Sequence, residues 1–548
     1  MNLKKGLYKY QNLLFCAACA VAVIAGGVYF YGILHAFVPN SEDLWTTQQW
    51  YLILTGQAVY VHHNVIYDLV SCLSVVIGGL SYFSNRLEFT LLYMIVWGLS
   101  LYLCVSRTKG QKRWFLLLLW IFFGLMIHTV QDGSDFGKVY GSTDLVWQFP
   151  YCYHITEVIF SLICLIIIQF YLNASTSKKK IVLLCIGLGI GVYALRFTDL
   201  VFYVVFALPC LIVLLIHGIY HHKTRKYALP FFLICAGMML LTKILPGQLS
   251  SALWTTQGVR NVYETVYGAT NWLDLDVIFS HITNYIKLVV LLFNIDLSNR
   301  PILSMHSVLF VIRIVFVITG YAIAVKTVVY SIRGKMKQHG GTLVDEILAW
   351  SVIIVSCSFL FTKNGENLGS LRYYSSLVPI MIILLCRNLE KIAVRMMPVL
   401  TDIKHKKIYL CGIFGILCIC QAEPVWQHQT SDSYLEDCEQ VIAYLEQRGA
   451  LDDGYVLAPY WLCHRLSAMT GGEILFFFDE TQIRNIYGKD ADIRFVIIDW
   501  GEEGKETVLA LEYGDVMRGS SNYEEWCERY RTPVWAVEMD HFYICEFE

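Results

Sequence analysis

Two adjacent carboxylates, Glu42 and Asp43, stand where the first long apolar run of the chain ends. The run is Leu13 to Val38, and the acids follow it in Pro39-Asn40-Ser41-Glu42-Asp43-Leu44-Trp45. A carboxylate beside a membrane can act as general base on an acceptor nucleophile. It can equally be an interfacial cap. Other polar residues fall in comparable places, just beyond apolar runs: Asp132, Asp135, Asp144 and His154; Arg196 and Asp199; Arg260 and His281; and Arg372 with Tyr373 and Tyr374. Each has a plain structural counterpart. Arg372 can anchor a helix end, His154 can pack between helices, and the loop acids can be solvated. Arg196 and Asp199, three apart, can form a local ion pair. Arginines and carboxylates are costly near a bilayer, so their collection on one side points to a site.

The residue types suggest one chemistry. Arg372, Arg196 and Arg260, with Tyr373, are the expected contacts to the phosphate of a lipid-linked donor, since guanidinium groups bind phosphate in paired hydrogen bonds. Asp43 or Glu42 is the expected general base on an acceptor hydroxyl. Asp132, Asp135 and His154 are expected at the acceptor, or as oxygen and nitrogen ligands of a divalent cation. No spacing in the chain demands a metal. These parts are what sugar transfer from a polyprenyl-phosphate donor requires.

The elements that would hold these residues follow from composition. The 548 residues are 56% hydrophobic and 16% charged, against about 25% charged in soluble domains. That predicts a polytopic α-helical membrane protein. The net charge of −2 gives no footprint for nucleic acid. The 14% aromatic content suits interfacial belts. The 18 cysteines lie mostly in apolar runs, among them Cys411, Cys418 and Cys420, with no CxxC pair.

Basic clusters set the direction of each crossing. Lys4, Lys5 and Lys9 predict a cytoplasmic N-terminus before an uncleaved first span. The stretch 41–64 reads as an amphipathic helix on the membrane surface, and Val65–Phe83 as a second surface or re-entrant helix. Spans are then expected at about Glu88–Val105, Trp114–Thr129, Tyr151–Tyr171, Ile181–Leu195, Val201–Tyr220, Leu229–Leu245, Ile302–Ile332, Glu346–Phe361, Tyr373–Cys386 and Ile408–Cys420. With the first run this makes about eleven. Basic loops at 107–113, 178–180, 221–226, 333–337 and 387–407 all fall on the cytoplasmic side. The transmembrane domain is thus 1–421, and 422–548 is an extracytoplasmic α/β domain of a plasma-membrane protein, bacterial by its lack of organelle signals. In that domain 432–448 has a helical period, and Tyr455–Pro459, Ile474–Phe478 and Phe495–Asp499 read as strands. Trp461–Met469 reads as a helix ending at Gly471-Gly472. Val534–Val537 and Phe542–Phe547 read as a closing hairpin. Cys438, Cys463, Cys527 and Cys545 could pair there.

The order of these features resembles the GT-C membrane glycosyltransferases, in the branch with protein mannosyltransferases and lipid A aminoarabinose transferases. That family has an acidic pair after the first span, then surface helices, then a span beginning Arg-Leu. Here these are Ser41-Glu42-Asp43, the stretches Trp45–Gly56 and Val65–Phe83, and Arg86-Leu87. An Arg-Tyr-Tyr motif followed by proline matches Leu371-Arg372-Tyr373-Tyr374-Ser375-Ser376-Leu377-Val378-Pro379. A Gly-Tyr…Tyr-Trp-Leu stretch matches Gly454-Tyr455 to Tyr460-Trp461-Leu462. The acidic pair is inverted here, Glu before Asp, so either acid can take the base position. The resemblance implies a polyprenyl-phosphate sugar donor, a glycan, lipid or protein acceptor, and surface helices that cradle the lipid. A lipid or glycan flippase, or a non-catalytic scaffold for envelope assembly, is the alternative. No duplicated halves favour the flippase.

Overall fold

The structure is a computed structural model. It describes residues 2–34, 41–57, 64–108, 111–127, 154–197, 200–220, 277–293, 305–334, 342–362, 371–401, 433–449, 455–458, 460–477, 493–499, 535–538 and 542–546, with short pieces at 225, 228–229, 232–237 and 295. Fifteen helices position the residues discussed below. They are α1 (Asn2–Leu34), α2 (Ser41–Leu54), α3 (Val65–Gly78), α4 (Tyr82–Val105), α5 (Gln111–Ile127), α6 (Ile155–Asn173), α7 (Ser177–Phe197), α8 (Leu208–Tyr220), α9 (Ile278–Leu292), α10 (Met305–Ile332), α11 (Leu343–Leu360), α12 (Leu371–Tyr374), α13 (Leu377–Thr401), α14 (Ser433–Gln447) and α15 (Tyr460–Met469). Five strands accompany them: β1 (Tyr455–Leu457), β2 (Phe476–Phe477), β3 (Ile493–Asp499), β4 (Trp535–Glu538) and β5 (Phe542–Glu546).

Six helices among the described residues are long and apolar enough to cross a bilayer: Tyr10–Gly32, Tyr82–Val105, Ile155–Asn173, Tyr203–Tyr220, Ser307–Ile332 and Leu343–Leu360. The chain is a helical integral membrane protein. The faces these helices leave open are apolar: Leu13, Val21, Ile24 and Val28 on α1, and Val308, Val311, Val315 and Ile318 on α10 are exposed. Such faces need lipid, not water. The six fall short of the eleven expected spans for identifiable reasons. The α5 helix has 17 residues, α7 opens on Lys178-Lys179-Lys180, and the apolar stretch that stands for the expected span Tyr373–Cys386 is the shorter Leu377–Leu389 of α13. The expected spans Leu229–Leu245 and Ile408–Cys420 lie largely or wholly outside the described residues. The α3 helix, at 14 residues, is about 21 Å long against an apolar layer of about 30 Å. Gly79 ends it with φ +65°, a conformation that glycine adopts without strain.

The chain divides into two compact units. The first is 1–33, 90–253 and 259–428; the second is 34–89, 254–258 and 429–548. The stretch after the first apolar run therefore folds with the C-terminal segment. A cut between 421 and 422 falls outside the described residues.

In the first unit, polar groups at the ends of several helices meet. Arg387 of α13 is buried and donates through Nε to Asp345 Oδ1 at 2.5 Å, through Nη1 to the Leu103 carbonyl at 3.0 Å, and through Nη2 to Thr342 Oγ1 at 3.0 Å. Arg107, just past α4, reaches Asp345 Oδ2 at 2.9 Å. Thr342 and Asp345 form the capping box that opens α11, which satisfies two helix-end N–H groups. Beside them Glu346 accepts from Ser331 Oγ at 2.6 Å and pairs with His217 Nε2 at 3.0 Å. The ends of α4, α8 and α10 and the start of α11 thus share one end of the bundle.

In the second unit the five strands form one sheet in the order β2-β1-β3-β5-β4. Strand β1 lies parallel to β2 and β3, and the hairpin β4–β5 joins β3 antiparallel. Its core packs Val441 and Leu445 of α14 and Leu462 and Leu466 of α15 against Val456, Phe476, Phe495, Ile497 and Ile544. Cys438 and Cys463 are buried inside this core as thiols, not as a disulfide. They fill it as small apolar side chains.

Candidate functional site

Of the residues expected to do chemistry, the structure brings His154 and Tyr373 together. His154 precedes the first turn of α6 but makes no capping hydrogen bond. Its ring instead lies 4.5 Å from the ring of Tyr373, with the planes at 43°. The end of the second loop therefore meets α12, the short turn that carries Arg372 in its backbone. Next to it, Tyr374 meets Phe359 edge-on at 4.9 Å, and Phe359 meets Tyr285 of α9 at 5.7 Å. The Tyr285 hydroxyl donates to Ser356 Oγ at 2.5 Å and also contacts the Tyr321 hydroxyl.

His281 lies one turn before Tyr285 on α9 and is fully buried, with no hydrogen bond at either ring nitrogen among the described residues. Residues four apart on a helix share a face, so α9 turns His281 and Tyr285 the same way. Asp345 and Phe359 are 14 residues apart on α11, or about 21 Å of helix. The aromatic cluster is accordingly at the end of the bundle opposite the Arg387–Asp345 network.

The two proposed bases occupy the first turn of α2. Arg196 is in the last turn of α7, and Arg372 is in α12. The structure describes the backbone of these four residues and not their side chains. Asp132, Asp135, Asp144, Asp199 and Arg260 lie outside the described residues. Among the described residues no group of three or more His, Cys, Asp or Glu is close enough to hold a metal ion. The one expected cation ligand that is described, His154, packs on Tyr373.

The helix that carries the acids does not have the expected form of a lone surface helix. Leu44, Thr46, Thr47, Gln48 and Leu52 of α2 are buried within the second unit. On one side, Thr46 Oγ1 donates to Glu88 Oε1 at 3.0 Å and Thr47 Oγ1 to Glu88 Oε2 at 3.2 Å. Ser71 Oγ of α3 donates to the same carboxylate at 2.6 Å. On the other, Gln48 Nε2 donates to the Phe476 carbonyl at 3.3 Å, and Gln48 Oε1 lies 2.7 Å from His464 Nδ1. Leu44 packs with Leu80 and Ala468. Burial pushes the His464 imidazole down to about 3, so the ring is neutral at physiological pH. The Gln48 oxygen can only accept, and the proton is therefore on Nδ1.

Sequence reasoning passed over Glu88, Glu157, Asp345, Arg387 and His464. Glu157 sits in the first turn of α6, where a carboxylate suits the helix dipole, and accepts from Thr156 Oγ1 at 3.1 Å. A signal for four of the five was present. Glu88, Glu157, Asp345 and Arg387 are ionisable residues within or at the edge of apolar runs, where a partner is required. No such signal marked His464, in a segment of ordinary composition.

No protein-family model matches the sequence, and no curated protein matches it.

Proposed function

We propose that the protein is a GT-C-type membrane glycosyltransferase that moves a sugar from a polyprenyl-phosphate donor to an acceptor at the outer face of the plasma membrane. The observation that carries this reading is the contact between His154 and Tyr373. It joins the end of the acid-bearing second loop to the Arg-Tyr-Tyr turn at one end of a helical bundle. The opposite end holds Arg107 and Arg387 with their carboxylate. We read that end as cytoplasmic by the positive-inside rule and the His154–Tyr373 end as the outer one; the alternation of basic loops in the sequence supports an outer position for the acidic loops and for the segment 422–548. In this reading the bundle has about eleven spans, and the outer domain is an α/β module.

In the reaction, the acceptor hydroxyl oxygen attacks the anomeric carbon of the donor. The bond from that carbon to the phosphate oxygen breaks, and its electron pair leaves with polyprenyl phosphate. The acceptor proton passes to Asp43 or Glu42. Arg372, with Arg196 and Arg260, neutralises the phosphate, whose charge grows as the bond breaks. Tyr373 adds a hydroxyl donor beside it.

The test uses purified protein in vesicles with a polyprenyl-phosphate donor labelled in its sugar. Label is expected to pass from the lipid to an added glycan or lipid acceptor. Asp43→Asn or Glu42→Gln, whichever removes the base, should lower the rate by about 10²–10⁴-fold. Unchanged transfer in both variants would remove the base assignment. Label that changes leaflet while still attached to its lipid would replace the transferase reading with a flippase.

A further inference from the structure

Thr46, Thr47 and Gln48 are consecutive, polar and buried. Consecutive helix positions point about 100° apart, so burying three in a row requires cover on more than one side. The structure supplies it from two elements remote in sequence. Glu88 takes both threonine hydroxyls, and α15 with β2 takes both ends of the Gln48 amide. The hydrogen bonds of this clamp have set directions. The Glu88 carboxylate accepts three hydroxyl protons, counting Ser71. The Gln48 amide donates once and accepts once. A helix gripped in this way has one allowed rotation about its own axis.

That rotation matters for the two acids. Position 42 is four residues before Thr46, and position 43 is four before Thr47. Residues four apart share a helix face. The face that is locked to Glu88 is therefore the face on which positions 42 and 43 fall, one turn nearer the helix start. A turn of α2 by one residue would move them by about 100°.

We propose that Glu88 and His464 are positioning residues, which fix the rotation of α2 and so set where the carboxylates of Glu42 and Asp43 are presented to the acceptor. The assignment rests on the glycosyltransferase reading above. It makes the C-terminal segment part of the reaction machinery without contact with the reacting atoms.

Full-length protein in nanodiscs carries the test. His464→Leu removes the N–H donor, and His464→Asn returns one at the Nδ1 position. Hydrogen exchange of the α2 amides is read beside that of β3 and β5, and sugar transfer is read as separate kcat and KM for the labelled donor. In His464→Leu, α2 should exchange at least tenfold faster while β3 and β5 keep their protection. Its kcat should fall at least tenfold, with the donor KM within about threefold. His464→Asn should restore both. Glu88→Leu should give the same pair of changes from the other side. If His464→Leu also loses the protection of β3 and β5, Gln48→Met replaces it, since that change leaves the sheet core intact. Unaltered α2 exchange, or faster exchange with undiminished kcat, overturns the proposal. No transfer by the wild-type protein would instead fail the glycosyltransferase reading and take the positioning role with it, whatever the exchange shows.

Discussion

Gly472 follows the end of α15 with φ +88°, and a Cβ there would lie 2.6 Å from the Tyr51 ring of α2. Gly472→Ala therefore meets backbone strain and a displaced tyrosine at once. It should destabilise the second unit by about 1–3 kcal/mol, read as earlier loss of protection in β1–β3 on heating. Arg387 faces a different penalty. Its side chain is wholly buried against Asp345, so Arg387→Met leaves that buried carboxylate with Arg107 and the Thr342 capping box but without its buried cation. Breaking a buried pair in this way costs about 3–5 kcal/mol, and thermal unfolding in detergent should show it. Arg387→Met with Asp345→Asn should recover part of the loss, because the buried carboxylate is then gone and Arg107, whose side chain is 23% exposed, keeps access to water. The sequence contained these residues but not their pairing. Asp345 and Arg387 are 42 positions apart, and only the packing of α11 on α13 brings them together. His154 and Tyr373 are a similar case. Residue type and place mark both in the sequence, while their contact depends on where α6 and α12 begin.

Helices with a clear apolar period were readable to within a few residues. The spacing of Tyr434, Cys438, Val441, Ile442 and Leu445 marks α14, which runs Ser433–Gln447. The α2 helix was not readable in the same way, because its buried residues include Thr46, Thr47 and Gln48, which pattern rules assign to the outside. The α3 helix reverses the usual arrangement. Asp68, Ser71 and Ser74 are buried beside Tyr67, Val70 and Val75, while Val65, Leu69, Leu73, Val76 and Ile77 are exposed. Apolar outside and polar inside is the pattern of a helix solvated by lipid. A nitroxide placed at Leu69 or Val76 should be relaxed more by oxygen than by a water-soluble nickel complex, and one at Glu473 the reverse. A π-helical turn, Tyr203–Ala207, leads into α8. It loosens the carbonyl ladder, and Ser351 Oγ bonds the Val205 carbonyl at 2.6 Å. Ser351→Ala should cost about 1–2 kcal/mol, measurable as a lower unfolding temperature.

At the scale of the molecule, acidity should act on the second unit through His464. Its folded value is about 3 and its ordinary value 6.5. Between those values the unfolded chain takes up a proton that the folded chain refuses. The stability tied to the neutral ring is therefore complete above about pH 6.5 and drains as pH falls towards 3, by up to about 1.4 kcal/mol per pH unit. Wild type should lose unfolding temperature between pH 7 and 5, and His464→Asn should lose less. The two-unit division was the least legible feature in the sequence, since composition changes near residue 422 whereas the structure groups 34–89 with 429–548. Gln48 and His464 are 416 residues apart, which has a consequence for how the chain is made. A ribosome delivers α2 at the start and its partner near the finish, with the membrane helices inserted between. For most of synthesis the Gln48 amide must wait in water or lipid headgroups for its ligands. Such a long-range closure is slow to reach. A chain halted before α15 should hold an inserted bundle and an unclosed first segment, open to protease between the two events and sealed only by the last quarter of the protein.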